Sequence, residues 1–520
     1  SGRMPPGEDQ FPVMEELNIT INGIVKLLKD LNPYKSPGPD NIGPRVLKEL
    51  ADDVAPLLLL IYRKSLDTGE VPDDWRSANV TPVYKKGQKY LPENYRPISL
   101  TSICCKIMEH IIASKIMTHG EDNNILYPLQ HGFRRGRSCE TQLIEFVDDL
   151  STNLEDGQQT DVLVMDFAKA FDKVCHSLLI HKLHHYGIQG KVNRWIQSWL
   201  TNRRQVVVVE GESSGSVSVE SGVPQGSVLG PGLFLYYIND LPSRLHSTTR
   251  LFADDTIAYL VIVTPEDARL LQEDLVSLEE WERQWKMRFH PDKCTKLTVT
   301  RKKTQVKAEY KLHDHIIASV SSAKYLGVTI TDDLSWDTHI QNICNKANRT
   351  IGFLRRNLSI GAIAIKQQAY FSLVRPLVEY ASTVWDPHTQ VNIHRLEMVQ
   401  RRAARYVTNR QRNKSSVGNM LHTLNWRTLQ DRRKDARLCM MYKIDRGLVA
   451  IRKDKRLVPH RRKTERLSHE RAYQLITCRT DRRKMSFFPR TVRDWNALPP
   501  GTANLETLEA FKAQVSAQQH

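Results

Sequence analysis

Two aspartates stand side by side in "RLFADDTIAYL", Asp254 and Asp255, between two apolar runs. In a strand neighbouring side chains point to opposite faces, so a straight strand would turn one carboxylate into a core. A buried carboxylate is costly unless it is paired or bound to metal. The stretch is therefore expected to break as strand, turn, strand, with the pair at a hairpin tip, where adjacent aspartates are at home. A second run, "DVLVMDFAKAFDKV" at 161–174, begins as a β-branched strand and changes to helical pattern after Asp166. That aspartate is placed to project past the edge of a sheet. If the two runs lie on adjacent strands, Asp166, Asp254 and Asp255 converge, and three carboxylates suit a pair of Mg²⁺ ions. Such a pair clamps the attacking and leaving oxygens of an in-line phosphoryl displacement.

The remaining segments read as follows. Helices are expected over about 15–30, 45–67, 102–119, 229–241 and 265–288, and from 337 onward. Strands are expected within 78–100, within the valine-rich stretch from 206, and at 295–300 and 316–330. "NPYKSPGPDNIGP", 32–44, is too rich in proline and glycine for regular structure. At 520 residues the chain should divide into three or four units. The run "APLLLLIY" is too short to span a bilayer, so no membrane partner is expected. "SGRMPPGEDQ" reads as a polar end without a signal-peptide pattern. Eight scattered cysteines, with no zinc spacing, read as reduced thiols of an intracellular protein.

Charge is unevenly spread. The net charge is +17, and residues 401–490 hold 27 Lys and Arg against 7 Asp and Glu. A field of that size is expected to bind a polyanion by releasing its counterions, and nucleic acid fits better than an acidic membrane because no long apolar stripe accompanies it.

"MDFAKAFDKV", "GVPQGSVLGP" and "LFADDT", in that order, resemble motifs A, B and C of a reverse transcriptase. "KSPGPDNI", "PENYRPISL", "HGFRRGRSCETQL", "FHPDKCTKL", "KYLGVTI" and the late "FFPRTVRDWNALP" are similar to segments of the non-LTR (LINE-type) retrotransposon branch, in particular its jockey-like and chicken-repeat-like groups. The resemblance implies an α+β right-hand polymerase: fingers, a palm on an antiparallel sheet, a helical thumb and a basic, mostly helical C-terminal region. It implies an N-terminal extension at 1–30, fingers at 31–160, palm at 161–337, thumb at 338–425 and a basic nucleic-acid-binding region at 426–520.

The implied activity is Mg²⁺-dependent addition of dNTPs to a DNA 3′ end, copying RNA at a nicked target, with Mn²⁺ able to substitute. Asp166, Asp254 and Asp255 would hold metal. Phe171 would reject a ribose 2′-hydroxyl, and Lys85, Arg96, Arg134 and Arg137 would meet the triphosphate. Gln225 would line the nucleotide pocket, while Gly222 and Gly226 let backbone approach substrate closely. Lys293 would protonate pyrophosphate, a plain surface lysine being the other reading. Tyr325, Leu326 and Gly327 would pack against the primer end. Arg203 is open between template contact and an ordinary structural role. RNA template, DNA primer and dNTPs are the implied partners, with a separate endonuclease or endonuclease domain to cut the DNA. The implied location is nuclear and cytoplasmic, as a ribonucleoprotein. Rival readings are a group II intron reverse transcriptase with maturase activity, a catalytically idle nucleic-acid-binding protein, and an RNA-dependent RNA polymerase, against which Phe171 and "FADD" count.

Overall fold

Strands form where β-branched residues cluster, in a computed structural model that describes residues 11–409, 416–460 and 469–517. The first ten residues, read above as a polar end, and parts of the basic run lie outside the described residues. β1 (Ser77–Tyr84) and β2 (Tyr95–Leu100) make the expected hairpin, with Val83 opposite Arg96. β3 (Gln159–Met165) stops just before Asp166. β4 (Arg203–Val209), β5 (Glu212–Ser213) and β6 (Val217–Val219) follow, then β7 (Thr248–Phe252) and β8 (Asp255–Ile262), and then β9 (Thr295–Val299). The stretch 316–330, expected as one strand, is divided. After a small hairpin of β10 (Lys311–Leu312) and β11 (His315–Ile316) come β12 (Ala318–Val320), β13 (Ser322–Tyr325) and β14 (Val328–Thr331). The physical reason is a reversal at Leu326 and Gly327, both at positive φ (44° and 83°), the backbone that tight hairpins with matched twist require.

Two five-stranded sheets organise most of these strands, with β10-β11 and β13-β14 as separate pairs. One runs β2-β1-β4-β5, with β6 also on β4. The other runs β12-β9-β3-β8-β7, so β3 is central and covered on both sides. Its sequence, nearly continuous in buried residues, fits that position. The expected helix over 45–67 is two, Pro44–Glu49 and Ala51–Thr68, and the first helix is shorter than expected, Ile21–Lys29 with Thr20 as its cap. Among the described residues no helix is long and apolar enough to cross a membrane. All eight cysteines are free thiols.

The hydrophobic interior has two parts. One joins the N-terminal helices to the β3, β7 and β8 side of the second sheet and the helices around it. The other reaches from the helix Cys139–Glu155 through β13 and β14 and the helices after 337 to Val515. The C-terminal region is therefore built into the second core. Its charge is built in as well. Arg456 contacts Glu145, Asp148 and Asp149 at 3.2, 2.9 and 2.9 Å, all on the Cys139–Glu155 helix. Arg250 of β7 joins the same cluster, 3.0 Å from Glu145 and 2.8 Å from Asp149, and Arg483 pairs with Asp148. Arg433, Arg437 and Arg490 surround the buried Asp386 at 2.7, 2.9 and 3.1 Å. At least eleven arginines of the basic run are in ion pairs, most of them buried or half-buried, with the Arg479 and Arg482 pairs at the surface. A polyanion-binding field was expected over the whole run; much of its charge is instead internal countercharge. Removing one partner of such a buried pair is costly because the other is left charged and dry.

Candidate active site

β3 and β8 are antiparallel neighbours, with Met165 opposite Thr256. Asp166 comes one residue after that pair and Asp255 one residue before it, so both leave the sheet at the same end. Phe252 pairs with Asp255 across a two-residue loop of Ala253 and Asp254. Ala253 is left-handed at φ 54°, a conformation uncommon for any residue but glycine, Asn or Asp. The loop is held by the segment bridged to Leu251: the Gln130 side-chain oxygen accepts from Ala253 N at 3.0 Å and from Gly132 N at 2.8 Å. Gly132 has no substitute, since a Cβ there would sit 2.4 Å from Ala253 N.

The three carboxylates feel one another. Burial, and then the charges of Asp254 and Asp166, raise Asp255 to about 6, against the pull of Lys85. Burial raises Asp254 too, with Asp166 adding to it, while a backbone hydrogen bond, Lys85 and Arg96 oppose. Asp166 has found a cation: Lys293 Nζ lies 3.0 Å from its Oδ2. The contact is placed by backbone, because His290 N donates to Asp166 O at 2.7 Å and Ala168 N to Arg288 O at 2.9 Å. Phe167 stacks on Phe289 beneath it, ring centroids 4.0 Å apart. Among the described residues no three His, Cys, Asp or Glu side chains are already closed around a common point. The donor set nevertheless fits a hard divalent cation: only carboxylate oxygens, crowded enough to repel, with an ammonium group now against one of them.

Beside the carboxylates, Lys85 follows β1 and Arg96 lies on β2, both within electrostatic reach of Asp254. Phe171 stands on a short 3₁₀ turn, Ala170–Lys173, its ring stacked on Phe234 at 4.4 Å and edge-on to Phe133 at 6.3 Å. The glycine loop closes over it. Gly222, at φ 87°, lies so near that a Cβ would come 2.8 Å from Asp172 Cα and Phe171 O. Val223 N donates to Phe171 O at 2.8 Å. Gln225 donates through Nε2 to Asp172 Oδ1 at 3.0 Å, and its carbonyl accepts from Ser99 N at 2.7 Å. The loop thus ties Phe171 and Asp172 to β2, and Gly226, at φ 107°, presses against Ser99 O.

Other expected site residues sit differently. Arg134 is buried, bonded through Nε and Nη2 to Glu121 at 2.6 and 2.5 Å and through Nη1 to Tyr127 O and Gln130 O. A guanidinium so engaged braces the loop under Gln130 and is not free for a triphosphate. Arg137 donates to Pro128 O at 2.6 Å, and burial, then Arg134, lowers its pKa to about 10. Arg203 is a core residue, 2% exposed, donating to Trp199 O at 2.9 Å, which removes the template-contact reading. Tyr325 is also buried, its hydroxyl accepting from Gln142 Nε2 at 3.2 Å. It anchors the β13–β14 turn from below, leaving Leu326 half-buried and Gly327 exposed at the tip.

Sequence reasoning passed over Gln130, Gly132 and Glu109. Glu109 is fully buried and accepts from Val228 N and Leu229 N at 2.7 and 3.2 Å, fixing the end of the glycine loop. The available signal was a lone acid in a mostly apolar helix stretch, "CCKIMEHII".

Residues 83–330 match the family described as reverse transcriptase (RNA-dependent DNA polymerase). Among curated relatives, the probable RNA-directed DNA polymerase from transposon BS of Drosophila melanogaster is 31% identical over 410 residues, 75% of this chain and 44% of that protein. The RNA-directed DNA polymerase from mobile element jockey of the same species is 28% identical over 411 residues, with the same coverage. The probable RNA-directed DNA polymerase from transposon X-element is 27% identical over 392 residues, 72% of this chain and 42% of that protein. The chain spans less than half the length of these relatives.

Proposed function

We propose, from a chain whose residues 83–330 are a reverse transcriptase domain of the non-LTR retrotransposon kind, that it copies RNA into DNA from a DNA 3′ end. The observation that carries the reading is that Asp166, Asp254 and Asp255 all stand at one end of β3 and β8. These three residues would hold divalent ions, Mg²⁺ with Mn²⁺ as a substitute. When bound, the ions supply Lewis-acid activation of the primer hydroxyl and charge neutralisation at the phosphates.

The chain's own groups do the rest. Lys85 and Arg96 hold the triphosphate of the incoming dNTP from the fingers side. Phe171, fixed by Phe234 and the glycine loop, fills the space that a ribose 2′-hydroxyl would need. Gln225 keeps that loop in register through Asp172. Lys293, already within reach of the site, gives a proton to the leaving pyrophosphate, and Asp166 sets where its Nζ waits. Arg134 serves by bracing the Gln130 loop, and Arg137 stands at the same loop's rim. Leu326 and Gly327 present the turn against which the primer end rests, with Tyr325 as its buried anchor.

In the wider reaction, the 3′ end would be a nick in target DNA, cut by a separate endonuclease or endonuclease domain. An enzyme that meets both an RNA template and chromosomal DNA would act as a ribonucleoprotein in cytoplasm and nucleus. The test is primer extension with an RNA template, an annealed DNA primer, dNTPs and Mg²⁺. Wild type extends and Asp254→Ala does not. Equal inertness of both, with strong RNA binding, would leave the idle nucleic-acid-binding reading in possession.

A further inference from the structure

Tyr380 occupies a corner between two short helices, Arg375–Glu379 and Ser382–Trp385, where Ala381 takes a left-handed conformation at φ 50°. Its hydroxyl donates to Leu326 O at 3.0 Å. Its ring lies against Gly327, so near that a Cβ there would come 2.9 Å from Cε1. The corner is itself pinned. Trp385 Nε1 donates to Tyr380 O at 2.8 Å, and Thr383 donates to Glu140 at 2.5 Å, on the helix whose Gln142 holds Tyr325. Partial desolvation, then the Cys139 thiol, Glu140 and Asp255, raise the Tyr380 hydroxyl above its ordinary pKa, although 46% of the residue is exposed.

The turn it touches needs such a partner. Leu326, at φ 44°, holds a backbone that branched side chains resist, and strain of this kind persists only where surroundings enforce it. Tyr325 fastens one side of the turn from inside; Tyr380 is the bond to its outer face. We propose that Tyr380 is a positioning residue for the primer end, fixing the Leu326–Gly327 turn so that the 3′ terminus is delivered to Asp166, Asp254 and Asp255. The inference rests on the polymerase reading and deepens it, since it ties the helical region after residue 337 to the site by one side chain.

The experiment uses the full chain and a fluorescein-labelled DNA primer annealed to an RNA template. Affinity is measured by anisotropy without dNTP, and KM and kcat by extension. Tyr380→Phe is expected to raise the duplex Kd and its KM about fivefold, the effect of one lost hydrogen bond, with the loss falling on these rather than on kcat or the dNTP KM. Gly327→Ala, which drives a methyl group into the ring, moves the same quantities further. An unchanged duplex Kd in Tyr380→Phe overturns the proposal while wild-type extension keeps the polymerase reading. So does a lowered melting temperature with a proportionate fall in kcat alone, the signature of a plain brace. A wild type that binds duplex but never extends it sinks both.

Discussion

Lys293 holds its ammonium 3.0 Å from the Asp166 carboxylate, so one of the metal-ligand candidates is neutralised by the proposed general acid. Asp166 Oδ2 would be shared between that lysine and a bound divalent ion, so displacement of the ammonium from this oxygen would leave Lys293 available to the leaving group. Lys293→Met is therefore expected to lower kcat about 100-fold, within the range of a lost general acid. The same change should lower the Mg²⁺ concentration for half-maximal activity, because no ammonium competes. A variant needing more Mg²⁺ than wild type would contradict the displacement.

Phe171 is held by Phe234 on one face and by the glycine loop above it. Removing the ring opens the space a 2′-hydroxyl needs. Phe171→Ala should reduce discrimination between a dNTP and its rNTP by at least about tenfold, measured as a ratio of kcat/KM values. It also removes a packed aromatic, at about 3 kcal/mol of stability. Phe171→Tyr keeps the bulk and should keep the discrimination. Unaltered selectivity in the alanine variant would leave the ring a packing residue only.

Arg456 touches three carboxylates of one helix. Arg456→Gln leaves Glu145 and Asp148 short of countercharge in the interior and is expected to destabilise the chain by about 3 kcal/mol. Adding Asp148→Asn should recover part of that loss, since one uncompensated charge is gone. Urea midpoints of the two single variants and the double variant decide the matter. Strict additivity would mean the contact carries no coupling.

His339 is 2% exposed, and its Nδ1 accepts from Thr329 N at 3.2 Å. Burial, and then Lys324, lowers its pKa from 6.5 to about 4. His131, 1% exposed, is lowered to about 3 by burial first and then by Arg137, Arg250 and Arg134. In both cases the unfolded chain takes up a proton near pH 6.5 while the folded chain refuses it. Stability is thus complete above pH 6.5 and is lost as pH falls towards 4, at about 2 kcal/mol per histidine by pH 5. His339→Gln should shrink the difference between urea midpoints at pH 7 and pH 5. An identical difference in the variant would refute the assignment.

The carboxylate site was legible because its signal is local. An apolar run that ends on Asp166, and a doublet between two apolar runs, report their own strand ends. The central position of β3 follows from the same residues. What stayed hidden depends on partners far along the chain. Nothing near Arg456 announces Asp148, more than three hundred residues earlier, so a basic run reads as a field for a polyanion when several of its arginines are inside. Arg134 looks like a phosphate ligand until Glu121 is seen to fill its fork. The turn at Leu326 and Gly327 escaped because leucine carries no turn preference, and "KYLGVTI" reads as one strand. Gln130 and Glu109 are single polar residues whose only message is the backbone they bind.

The clasp of Arg456 and Arg483 on the Cys139–Glu155 helix has a genetic corollary. A reading frame interrupted between residues 331 and 455 would still encode Asp166, Asp254, Asp255 and the segment through "KYLGVTI", yet its product would keep Glu145, Asp148 and Asp149 without two of their arginines. Such copies should be lost to misfolding rather than persist as shortened enzymes, so in this chain an intact catalytic signature is no guarantee of a living copy.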